Sequence, residues 1–141
     1  MGKKKVTQPA SGSGDKTSSA ASKKTRKAEK AKVYINASYN NTIISVTDEK
    51  GGVIAWATAG SLGFSGPKKA TPFAASKIIS VVSEKMHSAG TKEVDIIVRG
   101  VGSGRDSAVR SLIGQGFAVN SIKDVTPVPH NGPRAKKTRR V

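Results

Sequence analysis

The charge of this chain is segregated, and that segregation limits which part of it can fold. Residues 1–32 hold ten Lys and Arg against two acids, Asp15 and Glu29. Residues 127–141 hold five cations, Arg134, Lys136, Lys137, Arg139 and Arg140, and no acid. Residues 33–126 carry ten basic and seven acidic side chains, so thirteen of the sixteen net positive charges lie outside the stretch with periodic apolar residues. A segment of one sign repels itself when compacted and attracts a polyanion. The N-terminal stretch is also rich in Ser, Gly, Ala and Lys, and cannot bury enough surface to offset its ordering entropy. The organisation expected is a disordered basic arm over 1–31, a folded core over 32–126 and an extended basic tail over 127–141.

A length of 141 residues suits one domain with tails. The chain has no Cys, which excludes disulfides and thiolate metal sites and fits a reducing compartment. No apolar run approaches the ~18 residues of a spanning helix. The basic N-terminus lacks the apolar stretch of a secretory signal and is too poor in Arg and amphipathic pattern for an organelle transit peptide. Nucleic acid is the commonest polyanion for such a chain, and an anionic membrane surface is the rival.

Within the core, Val33-Tyr34-Ile35-Asn36-Ala37-Ser38 alternates apolar and polar, as a half-buried strand does. Asn40-Asn41 suits a tight hairpin, Thr42 to Thr47 reads as a second strand, and Val53 to Thr58 as a third, giving an antiparallel meander. A long loop runs from Gly60 to Lys69. Thr71-Pro72 then looks like a helix start, with Thr as cap and Pro at the first helical position. Ala75, Ile78, Ile79, Val82, Met86 and Ala89 form a core-facing stripe, and Gly90 ends the helix. His87 lies beside that stripe and reads as a partly exposed side chain.

Val94, Ile96, Ile97 and Val98 are nearly continuous, which suggests a central strand covered on both faces. Gly100 to Gly104 leads into a second helix with Ala108, Val109, Leu112 and Ile113 inward, ended by Gly114 and Gly116. Phe117 to Val125 is a last strand. The fold class expected is α/β: a mixed five-stranded sheet in the order β-β-β-α-β-α-β, with two helices and disordered basic tails. Helical crossovers supply the parallel pairs. Trp56, the only Trp, is assigned to the core.

That element order is also the order of ribonuclease-H-like nucleases, which need a carboxylate cluster on metal ions. The first strand here contains no acid. Glu93 and Asp95 share one face of a strand start, Asp48 and Glu49 lie in a turn, and Asp106 opens a helix. The glycine run near residue 100 lacks the dinucleotide-binding register, and the Gly60–Lys69 loop lacks that of a phosphate-binding P-loop. The two histidines, His87 and His130, have no nucleophile motif beside them. The chain is therefore expected to be no enzyme and to use no cofactor, metal or small-molecule substrate.

Several residues suit RNA. Phe64 on a glycine-rich loop with Lys68 and Lys69 can stack on a base while the cations meet phosphates. Asn36, Ser38, Asn40 and Asn41 can bond phosphate oxygens and 2′-hydroxyls. Glycines at a helix entry expose N–H groups that can hold a phosphate, or merely form a tight turn. Arg105 sits in the first helical turn, where the dipole disfavours a cation, and so suits a phosphate partner. Three prolines stiffen Pro127 to Arg134, with His130 and Asn131 offering polar contacts ahead of the cationic end.

Taken together, Asn40-Asn41-Thr42, Gly63-Phe64, Thr71-Pro72-Phe73-Ala74-Ala75, Gly100-Val101-Gly102-Ser103-Gly104-Arg105 and Asp124-Val125-Thr126-Pro127-Val128-Pro129-His130-Asn131-Gly132 form a specific pattern. Over about Lys32 to Val141 the chain resembles the bacterial form of the universal small-subunit ribosomal protein eleven family. Ser65 departs from the basic residue usual in that loop, and Pro133 from the Cys common after His-Asn-Gly. The resemblance implies a cytoplasmic ribosomal protein on the platform of the small subunit, bridging several rRNA helices and helping to form the cleft near the upstream end of the mRNA. It implies ribosomal proteins seven and eighteen as neighbours. Carried over residue by residue, it implies RNA contacts at Asn40 and Asn41, at Phe64, Lys68, Lys69 and Thr71, at Gly102, Gly104 and Arg105, and along His130, Asn131, Arg134, Lys136, Lys137, Arg139 and Arg140. A free architectural nucleic-acid-binding protein is the alternative.

Overall fold

A computed structural model describes residues 27–141. The expected arm over residues 1–26 lies outside the described residues. The elements are β1 (Lys30–Ala37), β2 (Thr42–Thr47), β3 (Val53–Thr58), α1 (Pro72–Ser88), β4 (Glu93–Arg99), α2 (Gly104–Gly114) and β5 (Ala118–Asp124). The five strands form one mixed α/β sheet in the order β3-β2-β1-β4-β5. β1, β2 and β3 pair antiparallel, while β4 runs parallel to β1 and β5 parallel to β4.

β1 begins earlier than the alternation from Val33 indicates. Ala31 is buried in the core. The Lys92 amide donates to the Glu29 carbonyl at 2.9 Å, and the Thr91 hydroxyl donates to the Ala28 carbonyl at 2.9 Å. Residues 28–31, assigned by composition to the arm, are thus fixed to the sheet. A run of Lys conceals the pattern because a long stem lies along a strand with its charge in water.

The core occupies one face. Val33 lies opposite Val46 and Ile96, and Ile35 opposite Ile44 and Val98. Against them α1 buries Ala75, Ile78, Ile79, Val82 and Met86, and α2 buries Ala108 and Leu112. Both helices lie on this side for a topological reason. The crossovers run from β3 to β4 and from β4 to β5, in the same direction along the sheet, and right-handed connections in one direction stack on one face. Two expectations fall with this. β4 is covered on one face only, leaving Ile97 half-buried, and Trp56 is 59% exposed on the open face rather than in the core. Ile113, expected inward, is also exposed, beyond the stripe that Ala108 and Leu112 define on α2.

Thr71 caps α1: its hydroxyl oxygen accepts from the Ala74 amide at 3.3 Å, with Pro72 at the first helical position. Serines join the helices, with the Ser111 and Ser76 hydroxyls 2.9 Å apart and Ser83 donating to the Gln115 side chain at 3.1 Å. His87 stacks on Phe117 at 4.6 Å between centroids.

Candidate nucleic-acid interface

Strand direction sorts the connections. β1, β3, β4 and β5 all point one way. The 38–41 hairpin, the 59–71 connection, the 100–103 helix entry and the chain from Val125 onward therefore emerge at one end, here termed the loop end. The 48–52 turn, the links at 89–92 and 115–117, and the incoming chain at Lys27 lie at the other. β4, of seven residues at ~3.3 Å each, sets the two ends about 23 Å apart. The basic tail and the entry of the basic arm thus sit at opposite ends.

At the hairpin, Ser38 and Asn41 close the turn. The Ser38 amide donates to the Asn41 carbonyl at 2.9 Å, and the Asn41 side-chain oxygen accepts from the Thr42 amide at 2.9 Å. That leaves Asn40 outward, beside Tyr39, which is 78% exposed. Asn36 is exposed on the open face.

The long connection is not a bare loop but two 3-10 turns, Gly60–Leu62 and Gly66–Ala70, with Lys68 exposed and Lys69 half-buried on the second. Phe64 is half-buried against the core and meets Phe73 edge to face at 6.0 Å. The exposed ring here is Phe73, at the start of α1, with the Lys77 ammonium 5.5 Å from its centroid.

The glycine entry is explained by close approach. Gly100 has φ +102, and a Cβ there would lie 2.1 Å from the Ala37 carbonyl oxygen. At Gly102 a Cβ would lie 2.3 Å from the Ser38 carbonyl oxygen, and the Gly102 amide donates to the Ala37 carbonyl at 2.9 Å. Gly104 is buried against Thr42 and Ala75. Gly102 and Gly104 are thus packed closely against neighbouring backbone and side chains. The exposed Val101 and Ser103 lie between, and the Ser103 hydroxyl donates to the Ala70 carbonyl at 2.7 Å, tying the helix entry to the lysine-bearing turn.

Arg105 is half-buried. Its guanidinium donates to the Gly100 carbonyl at 2.9 Å, to the Thr126 hydroxyl at 3.3 Å and to the Asp124 carboxylate. The Thr126 hydroxyl and amide donate to the same carboxylate at 2.6 Å and 3.0 Å. Thr126 and Arg105 together hold the Asp124 carboxyl well below the usual carboxylate range. Arg105 thus anchors the start of the tail. Beyond Thr126, residues 127–141 form neither helix nor strand and are exposed, including His130, Asn131, Arg134, Lys136, Lys137, Arg139 and Arg140. Asn131 adopts φ 51, a left-handed turn that Asn tolerates.

A concavity of about 310 Å³ joins hairpin, helix entry and tail, lined by Asn36, Tyr39, Arg99, Val101, Thr126 and Pro127. Sequence reasoning missed Tyr39, Phe73, Lys77 and Arg99. Tyr39 was readable as an aromatic beside the Asn-Asn turn; the others depend on which face of an element is uncovered. Acids gather at the far end, where Glu93 pairs with Lys30 at 3.1 Å and Glu29 with Lys92 at 3.5 Å, near Asp48 and Glu49. Among the described residues, no group of three or more His, Cys, Asp or Glu side chains is placed to hold a metal ion, and no helix is long and apolar enough to cross a membrane.

Residues 31–140 match the family model described as Ribosomal protein S11. The Small ribosomal subunit protein uS11 of Treponema pallidum subsp. pallidum is 51% identical over 109 residues, covering 77% of this chain and 86% of that protein. The uS11 of Treponema pallidum strain Nichols matches to the same extent. The matched span takes in the sheet, both helices and nearly all of the tail, and on that basis the chain belongs to the ribosomal protein S11 family.

Proposed function

We propose that this chain is a structural, non-enzymatic constituent of the small subunit of the cytoplasmic ribosome, and that it binds small-subunit rRNA through its loop end. Membership of the ribosomal protein S11 family supports the structural role. The observation that carries the binding mode is the convergence of hairpin, lysine turn, helix entry and exposed basic tail at one end of the sheet. Phosphates attract the tail cations, Lys68 and Lys69, while Asn40, His130 and Asn131 supply short polar contacts. Thr71, Ser38, Asn41, Gly102, Gly104 and Arg105 shape the surface from beneath.

The finer reading is a position on the platform. There the chain bridges several rRNA helices, neighbours ribosomal proteins seven and eighteen, and helps form the cleft around the upstream end of the mRNA. The root of the tail and the incoming chain at Lys27 lie at opposite ends of the sheet, about 23 Å apart, which suits a bridging role. The division into arm, core and tail belongs to the same proposal.

Co-sedimentation with small subunits in high salt tests it. A structural constituent stays bound, and crosslinks from the tail cations map to platform rRNA. Complete release at moderate salt would instead fit a free architectural nucleic-acid-binding protein.

A further inference from the structure

The sheet face that no helix covers carries an ordered row of side chains. By register Trp56 lies opposite Ser45, Ser45 opposite Tyr34, Tyr34 opposite Ile97, and Ile97 opposite Lys123, so the row crosses all the strands. The next row toward the loop end runs Thr58, Ile43, Asn36 and Arg99. Trp56 is 59% exposed and Tyr34 39%. Their strands are two ladder spacings apart, about 9.6 Å, with only a serine between, so neither ring covers the other. A concavity of about 540 Å³ opens beside them, lined by Tyr34, Asn36, Ile43, Ser45, Ile97 and Arg99.

We propose that this open face is a second RNA-binding surface, one that takes an unpaired RNA segment. Bases stack on Tyr34 and Trp56, and the backbone meets Arg99 and Lys123. The inference goes beyond the loop-end contacts and rests on the reading that the chain binds RNA. Three observations support an RNA occupant over a protein one. The face carries four cations, Lys30, Lys32, Arg99 and Lys123, against two carboxylates: Glu93, which pairs with Lys30 at 3.1 Å, and Asp95, which accepts from the Ser121 hydroxyl at 2.8 Å. Its aromatic rings are separate and exposed, as a stacking platform requires, because each base needs its own ring face. Finally, Asn36 and Arg99 line both this concavity and the one at the loop end, so a strand held at the loops runs onto the face without a gap.

Trp56 is the only tryptophan in the chain, so intrinsic fluorescence reads this face directly. The full-length protein is titrated with an oligoadenylate of about eight nucleotides, a length within the usual single-strand site sizes. Quenching of Trp56 is expected, persisting when residues 134–141 are deleted, whereas a fully paired RNA duplex, whose bases have no open face, quenches far less. Measured by the fluorescence anisotropy of an end-labelled oligoadenylate, Trp56→Ala or Tyr34→Ala is expected to weaken binding about 5- to 150-fold, the loss of one stacked base. Trp56→Phe and Tyr34→Phe restore most of it, and equal thermal midpoints establish that each variant is folded. Equal quenching by duplex and oligoadenylate, or alanine variants that bind like wild type, would overturn the inference. So would a Trp56 that stays accessible to acrylamide in assembled subunits, or one shielded there only by a neighbouring protein. Those last outcomes leave the chain in the subunit and so leave the loop-end reading standing.

Discussion

The guanidinium of Arg105 and the carboxylate of Asp124 tie the first turn of α2 to the last residue of β5. Thr126, the next residue but one, donates to the same carboxylate through its hydroxyl and its amide. The tail therefore leaves the sheet in a set direction, and three prolines keep it extended from there. A tail fixed at its root loses less entropy on docking than one hinged freely.

Asp124→Asn removes the charge that Arg105 and Thr126 both address. Binding to an rRNA platform fragment is expected to weaken about 5- to 30-fold, the ordering cost of one freed residue. The salt dependence stays the same, because no phosphate contact is lost. A changed salt slope would mean that Arg105, once released, had acted on phosphate itself.

The same carboxylate sets a pH dependence. Thr126 and then Arg105 depress its titration in the folded protein. A depressed carboxylate contributes stability above its ordinary value of ~4 and loses it as the pH falls through the folded value. The thermal midpoints of wild type and Asp124→Asn are thus expected to differ by a constant amount from about pH 5 to pH 8 and to converge in stronger acid. A gap that closed near neutrality would assign the effect to another group.

Gly100→Ala tests the close approach at the helix entry. Its Cβ would sit 2.1 Å from the Ala37 carbonyl oxygen, on a backbone with φ +102. A destabilisation of about 2–4 kcal/mol is expected from urea unfolding, since strain and steric conflict add. A variant as stable as wild type would show that the 100–103 segment relaxes away from β1.

The fold is legible where one segment determines its own structure, and obscure where sidedness depends on a distant one. Alternation exposes β1, and Thr71-Pro72 marks the start of α1, because strand period and helix cap are local. Trp56 and Ile97 mislead because hydrophobicity does not say which face a crossover helix will cover. Arg105 reads as a lone cation because its carboxylate partner lies nineteen residues on, past a helix and a strand. Gly102 and Gly104 draw notice for their amides, although the neighbouring backbone and side chains are what exclude a Cβ.

The tail cations are expected to set the electrostatic share of binding. Arg134, Lys136, Lys137, Arg139 and Arg140 are all exposed, with no acid among residues 127–141. Each phosphate contact contributes about 0.7 to 0.9 to the slope of log affinity against log salt. Deleting residues 134–141 is therefore expected to flatten that slope by up to about 4. An unchanged slope would mean that the tail does not reach phosphate.

Phe73→Ala separates ring contacts from charge at the lysine turn. The ring is 63% exposed, held edge-on by Phe64 and met by the Lys77 ammonium at 5.5 Å. Such a ring is oriented but uncovered, which suits stacking on a base or ribose. Removing it costs little fold stability, since little of it is buried, but is expected to weaken rRNA binding about 5- to 150-fold. Lys77→Gln keeps the ring and removes the cation, and should lower the salt slope by at most about one contact. If Phe73→Ala instead lowers the thermal midpoint and leaves affinity intact, the Phe64–Phe73 pair belongs to the packing of the 59–71 connection and not to the RNA surface.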